Sequence, residues 1–167
     1  MKLLFVTSTR VGDAILSTGL LHHVIESNQD AKITVACGPA AAPLFEAVPG
    51  LERIIVLDKM LMSLHWLRLW LLCAGRFWDL VIDLRNAPVT YLLARRQRRG
   101  MPRDGSDQRR VERMTRVLGL DHTPAPNLWT ADTHREFALA AIPGGGPVLA
   151  VGPTANWRAK TWRPENF

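Results

Sequence analysis

Two segments of this 167-residue chain gather the residue types that do chemistry. The first is Thr9-Arg10-Val11-Gly12-Asp13, which sets a cation, a glycine and a carboxylate close together. A carboxylate so placed can take a proton from a hydroxyl, Arg10 can hold an anionic group, and Gly12 permits a tight turn or a close approach of backbone to ligand. The second segment, Val148 to Phe167, carries Thr154, Arg158, Lys160 and Arg163 after a short apolar run. Cations and hydroxyls beyond a strand suit a pyrophosphate, whose charge they screen and whose oxygens they bind. Both segments also have plainer readings. Asp13 is a common type of helix cap facing the positive end of the helix dipole, and Lys160 can be a surface lysine beside packing residues Trp157 and Trp162.

Other chemistries find no support. Neither G-x-G-x-x-G nor G-x-x-x-x-G-K occurs, so no simple dinucleotide or P-loop site is expected. His22, His23 and His65 lack paired ligand spacing, and Cys37 and Cys73 stand apart in apolar surroundings. No metal site, no disulfide framework and no bound cofactor is expected, and a reducing, cytoplasmic setting fits. No signal peptide is read at Met1-Lys2, and the most apolar stretch, Met60 to Gly75, contains His65 and Arg68 and falls short of the roughly 20 residues that cross a bilayer.

Charge is concentrated in one place. Arg95 to Arg116 holds nine arginines against Asp104, Asp107 and Glu112, which accounts for the formal net charge of +6. Such a block is either a solvated face or an attractor of polyanions. Nucleic acid is the weaker partner, because the arginines lack interleaved aromatic residues on which bases stack.

The elements that must position these groups alternate. KLLFVTS (Lys2 to Ser8) reads as a strand, Asp13 to Asn28 as a helix, KITVAC (Lys32 to Cys37) as a strand, Ala40 to Ala47 as a short helix and Ile54 to Leu57 as a third strand. Leu61 to Ala74 reads as a helix, with Trp66 and Trp70 one turn apart, either packed on the core or lying at a membrane interface. Leu80 to Leu84 reads as a strand, Val111 to Leu118 as a helix stopped by Gly119, and Thr133 to Ala141 as a last helix. Pro143 to Pro147 then forms a linker before a fresh strand at Val148 to Val151. The β-α alternation predicts an α/β fold with a doubly wound, Rossmann-like parallel sheet, whose ligands bind beyond the carboxyl ends of the strands.

KLLFVTSTRVGDAILSTGLL, ITVACGPAAAPLFEAVPGLERII, FWDLVIDLRN and GPTANWRAKTWRPENF, in that order and spacing, resemble glycosyltransferase family 9, which includes the ADP-heptose:lipopolysaccharide heptosyltransferases. The resemblance implies the N-terminal domain of a GT-B enzyme. Residues 1–143 would be its acceptor-binding domain, and residues 144–167 a linker and the beginning of a truncated nucleotide-sugar-binding domain. It further implies an inverting transfer of heptose from ADP-heptose to the lipopolysaccharide inner core on lipid A. Asp13 would be the catalytic base, Arg10 and Gly12 would meet the acceptor, and Thr154 and Lys160 would meet the donor diphosphate. A peripheral contact with the cytoplasmic face of the inner membrane follows from the lipid-borne acceptor. The alternative is a non-catalytic module that binds anionic glycolipid or a membrane surface through its arginines.

Overall fold

A computed structural model describes residues 1–58, 64–103, 109–142, 144–152, 161, 163 and 165. The chain divides into two compact units, Met1–Thr130 and Ala131–Phe167.

The first unit is built on a five-stranded, wholly parallel sheet with strand order β3-β2-β1-β4-β5. Its elements run β1 (Lys2–Val6), α1 (Val11–Ser27), β2 (Lys32–Cys37), a 3-10 helix (Pro39–Phe45), β3 (Leu51–Val56), α2 (Leu64–Cys73), β4 (Trp78–Asp83), a second 3-10 helix (Pro88–Leu92), β5 (Arg95–Gly100) and α3 (Arg110–Leu118). The expected Rossmann-like doubly wound sheet is therefore the one observed. Phe5 of β1 aligns with Val35 of β2 on one side and Ile82 of β4 on the other. The order of strands reverses between β1 and β4, so the crevice above their carboxyl ends is the switch point where such folds take ligands.

A strand buried on both faces needs apolar residues at consecutive positions, which KLLFV provides. Leu3 and Phe5 enter one core with α1, α3 and the Pro39–Phe45 helix. Leu4 and Val6 enter the opposite core with α2, Trp78 and Leu93. All four are fully buried, each removal from water contributing roughly 1.5–3 kcal/mol.

Element boundaries move where hydrogen bonding outweighs the apolar pattern. β1 stops at Val6; Thr7 still donates its N–H to Ala36 O at 2.9 Å, and its hydroxyl lies 2.7 Å from Ser17 Oγ in the interior. α1 begins at Val11, ahead of Asp13. The short helix after β2 is 3-10 in form, with Pro43, which has no N–H to give, inside it. The Arg95–Gly100 strand escapes the periodicity altogether. RRQRRG is an edge strand held by its ladder to β4 and by polar side-chain pairing rather than by an apolar face.

The second unit contains α4 (Asp132–Ala141), whose first turn is closed by the Ala131 N–H donating to His134 Nδ1 at 3.3 Å. The strand expected at Val148 to Val151 is absent: these residues are irregular. A strand exists through its ladder, and the described residues supply no neighbour for one there. The domain boundary read at residues 143/144 falls inside this second unit. Among the described residues no helix is long and apolar enough to cross a membrane.

Candidate functional site

The loop from β1 into α1 turns on Ser8. Its hydroxyl accepts a hydrogen bond from the Arg10 backbone N–H at 3.2 Å and lies 3.4 Å from Asp13 Oδ2. The other oxygen of that carboxylate, Oδ1, meets Arg110 Nε of α3 at 3.2 Å. Asp13 stands in the first turn of α1, yet it is not the cap: the capping position is Arg10, whose side chain makes no capping hydrogen bond. The carboxylate is held from two sides, with 26% of its side-chain surface exposed. A partly exposed ion pair of this kind is worth under about 1 kcal/mol and opens readily, so Arg110 steadies Asp13 without locking it.

Arg10 is exposed at the start of the helix. Gly12 is exposed as well, and a Cβ built there would meet nothing within 4 Å, so the space beside the turn is open. Gly12 thus leaves room for a ligand without being demanded by the fold. Thr154 and Lys160 lie outside the described residues.

A cavity of about 220 Å³ opens beyond the carboxyl ends of four strands. Thr9 follows β1, Pro39 and Ala40 follow β2, Leu57 and Asp58 follow β3, and Arg85 follows β4; His65 of α2 closes the wall. His65 is buried, its Nδ1 has no hydrogen-bond partner, and its ring lies 4.7 Å from that of Trp66. The Arg85 guanidinium stacks on the same indole at 4.8 Å. Burial holds Arg85 below the usual arginine range, with the Asp83 carboxylate opposing the shift. The cavity thus joins a poorly solvated cation, Arg85, which an anionic group could pair with, to an imidazole nitrogen without a partner and to the Asp58 carboxylate, so its lining is of mixed charge.

Beneath Arg85 lies a buried polar cluster. Asp83, fully buried at the end of β4, accepts hydrogen bonds from the Arg85 backbone N–H at 3.0 Å, from Thr90 Oγ1 at 2.7 Å and from the Arg98 guanidinium at 2.9 Å. Arg98 also donates its Nε–H to Thr90 Oγ1 at 2.9 Å and stacks on Tyr91 at 3.8 Å. The cluster ties β5 to the loop that carries Arg85. Among the described residues no group of three or more His, Cys, Asp or Glu side chains is placed to hold a metal ion.

The sequence pointed to the β1–α1 loop, Thr9 included, but not to Arg85, His65 or Asp58. A usable signal was present in FWDLVIDLRN: Asp83 ends an apolar strand, and Arg85-Asn86 follows at the switch point.

No protein-family model and no curated protein matches the chain by sequence. Solved structures do match in fold. The E. coli heptosyltransferase WaaC with ADP-2-deoxy-2-fluoro heptose aligns at a TM-score of 0.66 and 16% identity, over 99% of this chain and 62% of that one. The same enzyme with ADP aligns at 0.68 and 18%, with the same coverage. The glycosyl transferase family 9 structure from Veillonella parvula DSM 2008 aligns at 0.70 and 18%, over 98% of this chain and 57% of that one. The chain thus spans about three fifths of the length of the structures it matches. At these identities the likeness speaks for the fold, and that fold is the one the resemblance to family 9 implied.

Proposed function

We propose that this chain is the acceptor-binding part of an inverting glycosyltransferase that moves a heptose from ADP-heptose to the inner core of lipopolysaccharide at the cytoplasmic face of the inner membrane. The observation that carries the reading is the Asp13 carboxylate, partly exposed in the first turn of α1, on the same strand-to-helix connection whose Thr9 lines the cavity.

In this reading Asp13 accepts the proton of the acceptor hydroxyl as that oxygen bonds to the anomeric carbon of the donor sugar, while the bond from that carbon to the diphosphate oxygen breaks on the opposite face. ADP leaves with the bonding electrons, and Asp13 passes the proton to solvent. Ser8 and Arg110 hold the carboxylate in position until the hydroxyl arrives. Arg10 and the Arg85–His65 cavity receive anionic groups of the lipid A core glycolipid, with Gly12 leaving room for its backbone-side approach. Lys160 and Thr154 are assigned to the departing diphosphate by the sequence resemblance alone, where a cation and a hydroxyl stabilise the charge that develops.

The test is a mass measurement. The protein expressed from its gene, given ADP-heptose and Kdo-bearing lipid A, should add one heptose mass to the glycolipid and release ADP in equal amount. Glycolipid binding with neither ADP release nor mass gain would replace the enzyme with the non-catalytic module that the arginine-rich β5 and α3 favour.

A further inference from the structure

α2 has two apolar stripes, and the fold uses only one. His65, Leu69 and Cys73, at steps of four, are buried against the sheet. Leu64, Leu67 and Leu71 lie on the opposite stripe and are exposed, Leu67 at 50% and Leu71 at 65%. Beside them the Pro88–Leu92 helix exposes Tyr91 and Leu92, the latter at 72%. An open apolar groove lined by Trp66, Leu67, Trp70, Val89 and Leu92 runs between the two helices. Scattered exposed leucines are ordinary; a contiguous patch of leucine and aromatic side chains marks a surface that meets something apolar.

Among the described residues, the charged side chains on or stacked against the patch are arginines. Arg68 is exposed on the leucine stripe itself, Arg85 stacks on Trp66 at one side of the groove, and Arg95 lies 5.9 Å from the Tyr91 ring at the other. The sequence has no Asp or Glu between Asp58 and Asp79, and none between Asp83 and Asp104. An apolar groove with tryptophan and tyrosine at its sides, bordered by arginines and with no carboxylate in its lining, matches the boundary between acyl chains and anionic headgroups.

We infer that α2 and the Pro88–Leu92 helix form a docking face for an anionic lipid bilayer, with the leucines entering the acyl boundary and Arg68 and Arg95 meeting headgroup phosphates. The face adjoins the cavity, since Arg85 lines the cavity and stacks on Trp66, which lines the groove. A lipid-borne acceptor would therefore arrive with its anionic sugar beside the site. That purpose rests on the glycolipid reading above; the membrane contact does not, and its measurement involves no sugar.

Co-sedimentation with vesicles tests it, using the protein expressed from its gene and comparing phosphatidylcholine alone with phosphatidylcholine containing one third phosphatidylglycerol. Binding should appear on the anionic vesicles and weaken with salt. Leu67→Glu and Leu92→Glu should each lower the partition coefficient about tenfold, and Arg68→Gln about fivefold. Thermal melting should stay unchanged for all three, because the side chains are exposed. Equal partition onto neutral and anionic vesicles, or variants that bind like the parent, would overturn the inference. So would a dimer that Leu67→Glu dissolves without any vesicle binding, since a second copy would then be what covers the face.

Discussion

Asp83→Ala should unfold the chain more easily by about 3–4 kcal/mol, near the low end of what breaking a buried ion pair costs. The carboxylate is fully buried, and its removal strands three donors: the Arg85 backbone N–H, Thr90 Oγ1 and the Arg98 guanidinium. Arg98 carries the largest penalty, since only 11% of its side chain is exposed. Two contacts moderate the loss, because Arg98 keeps Thr90 as an acceptor and Tyr91 as a stacking surface. The Thr90 hydroxyl also lies 2.8 Å from the Ala87 carbonyl and so retains a partner. A loss of this size corresponds to a fall in melting temperature of roughly 10 °C for a chain of this length. Urea unfolding followed by circular dichroism measures it, with an unchanged slope showing that native and unfolded compactness are preserved. The double variant Asp83→Leu/Arg98→Met should be more stable than the sum of the single losses by about 2 kcal/mol, because it removes both charges together. A loss under about 1 kcal/mol for Asp83→Ala, or strict additivity in the double variant, would refute the claim that this pair anchors the Arg85 loop.

Gly38→Ala should cost about 1–3 kcal/mol, because a methyl group there would come within 2.5 Å of Thr9 Cα and push on the wall of the cavity; unchanged stability together with unchanged glycolipid affinity would remove Thr9 from the site. The two cysteines should resist alkylation in the native protein at pH 8 and react once it is unfolded. Burial pushes the Cys37 thiol up to about 12 and the Cys73 thiol up to about 11, with Arg53 and Arg76 opposing the second shift, so thiolate is scarce in the folded state until the pH approaches those values. Labelling followed by mass spectrometry checks this, and fast native labelling at either position would contradict the burial described.

Much of the sheet was legible because it is buried on both faces. KLLFV and KITVAC show as apolar runs with polar ends, and KITVAC coincides with β2 residue for residue. β5 was illegible for the converse reason: an edge strand of arginines has no apolar period, and its stability comes from the ladder and from Asp83, which no local pattern reveals. The site divided in the same way. Asp13 was visible because the loop after a first strand is a known place to look, while the start of α1 at Val11 and the pairing with Arg110, far along the chain, were not. His65 and Arg85 look unremarkable in sequence; only the return of the chain to β4 brings them to one cavity.

The Asp13 carboxylate is proposed to take the proton from a bound sugar alcohol. Single-turnover kinetics of Asp13→Asn beside the parent, with glycolipid affinity measured on the same samples, tests it most directly. The variant should bind the glycolipid within about threefold of the parent while the transfer step falls by 10² to 10⁴, the range a positioned general base supplies. Transfer at the parental rate in a variant that still binds would leave Asp13 a structural partner of Arg110 and nothing more.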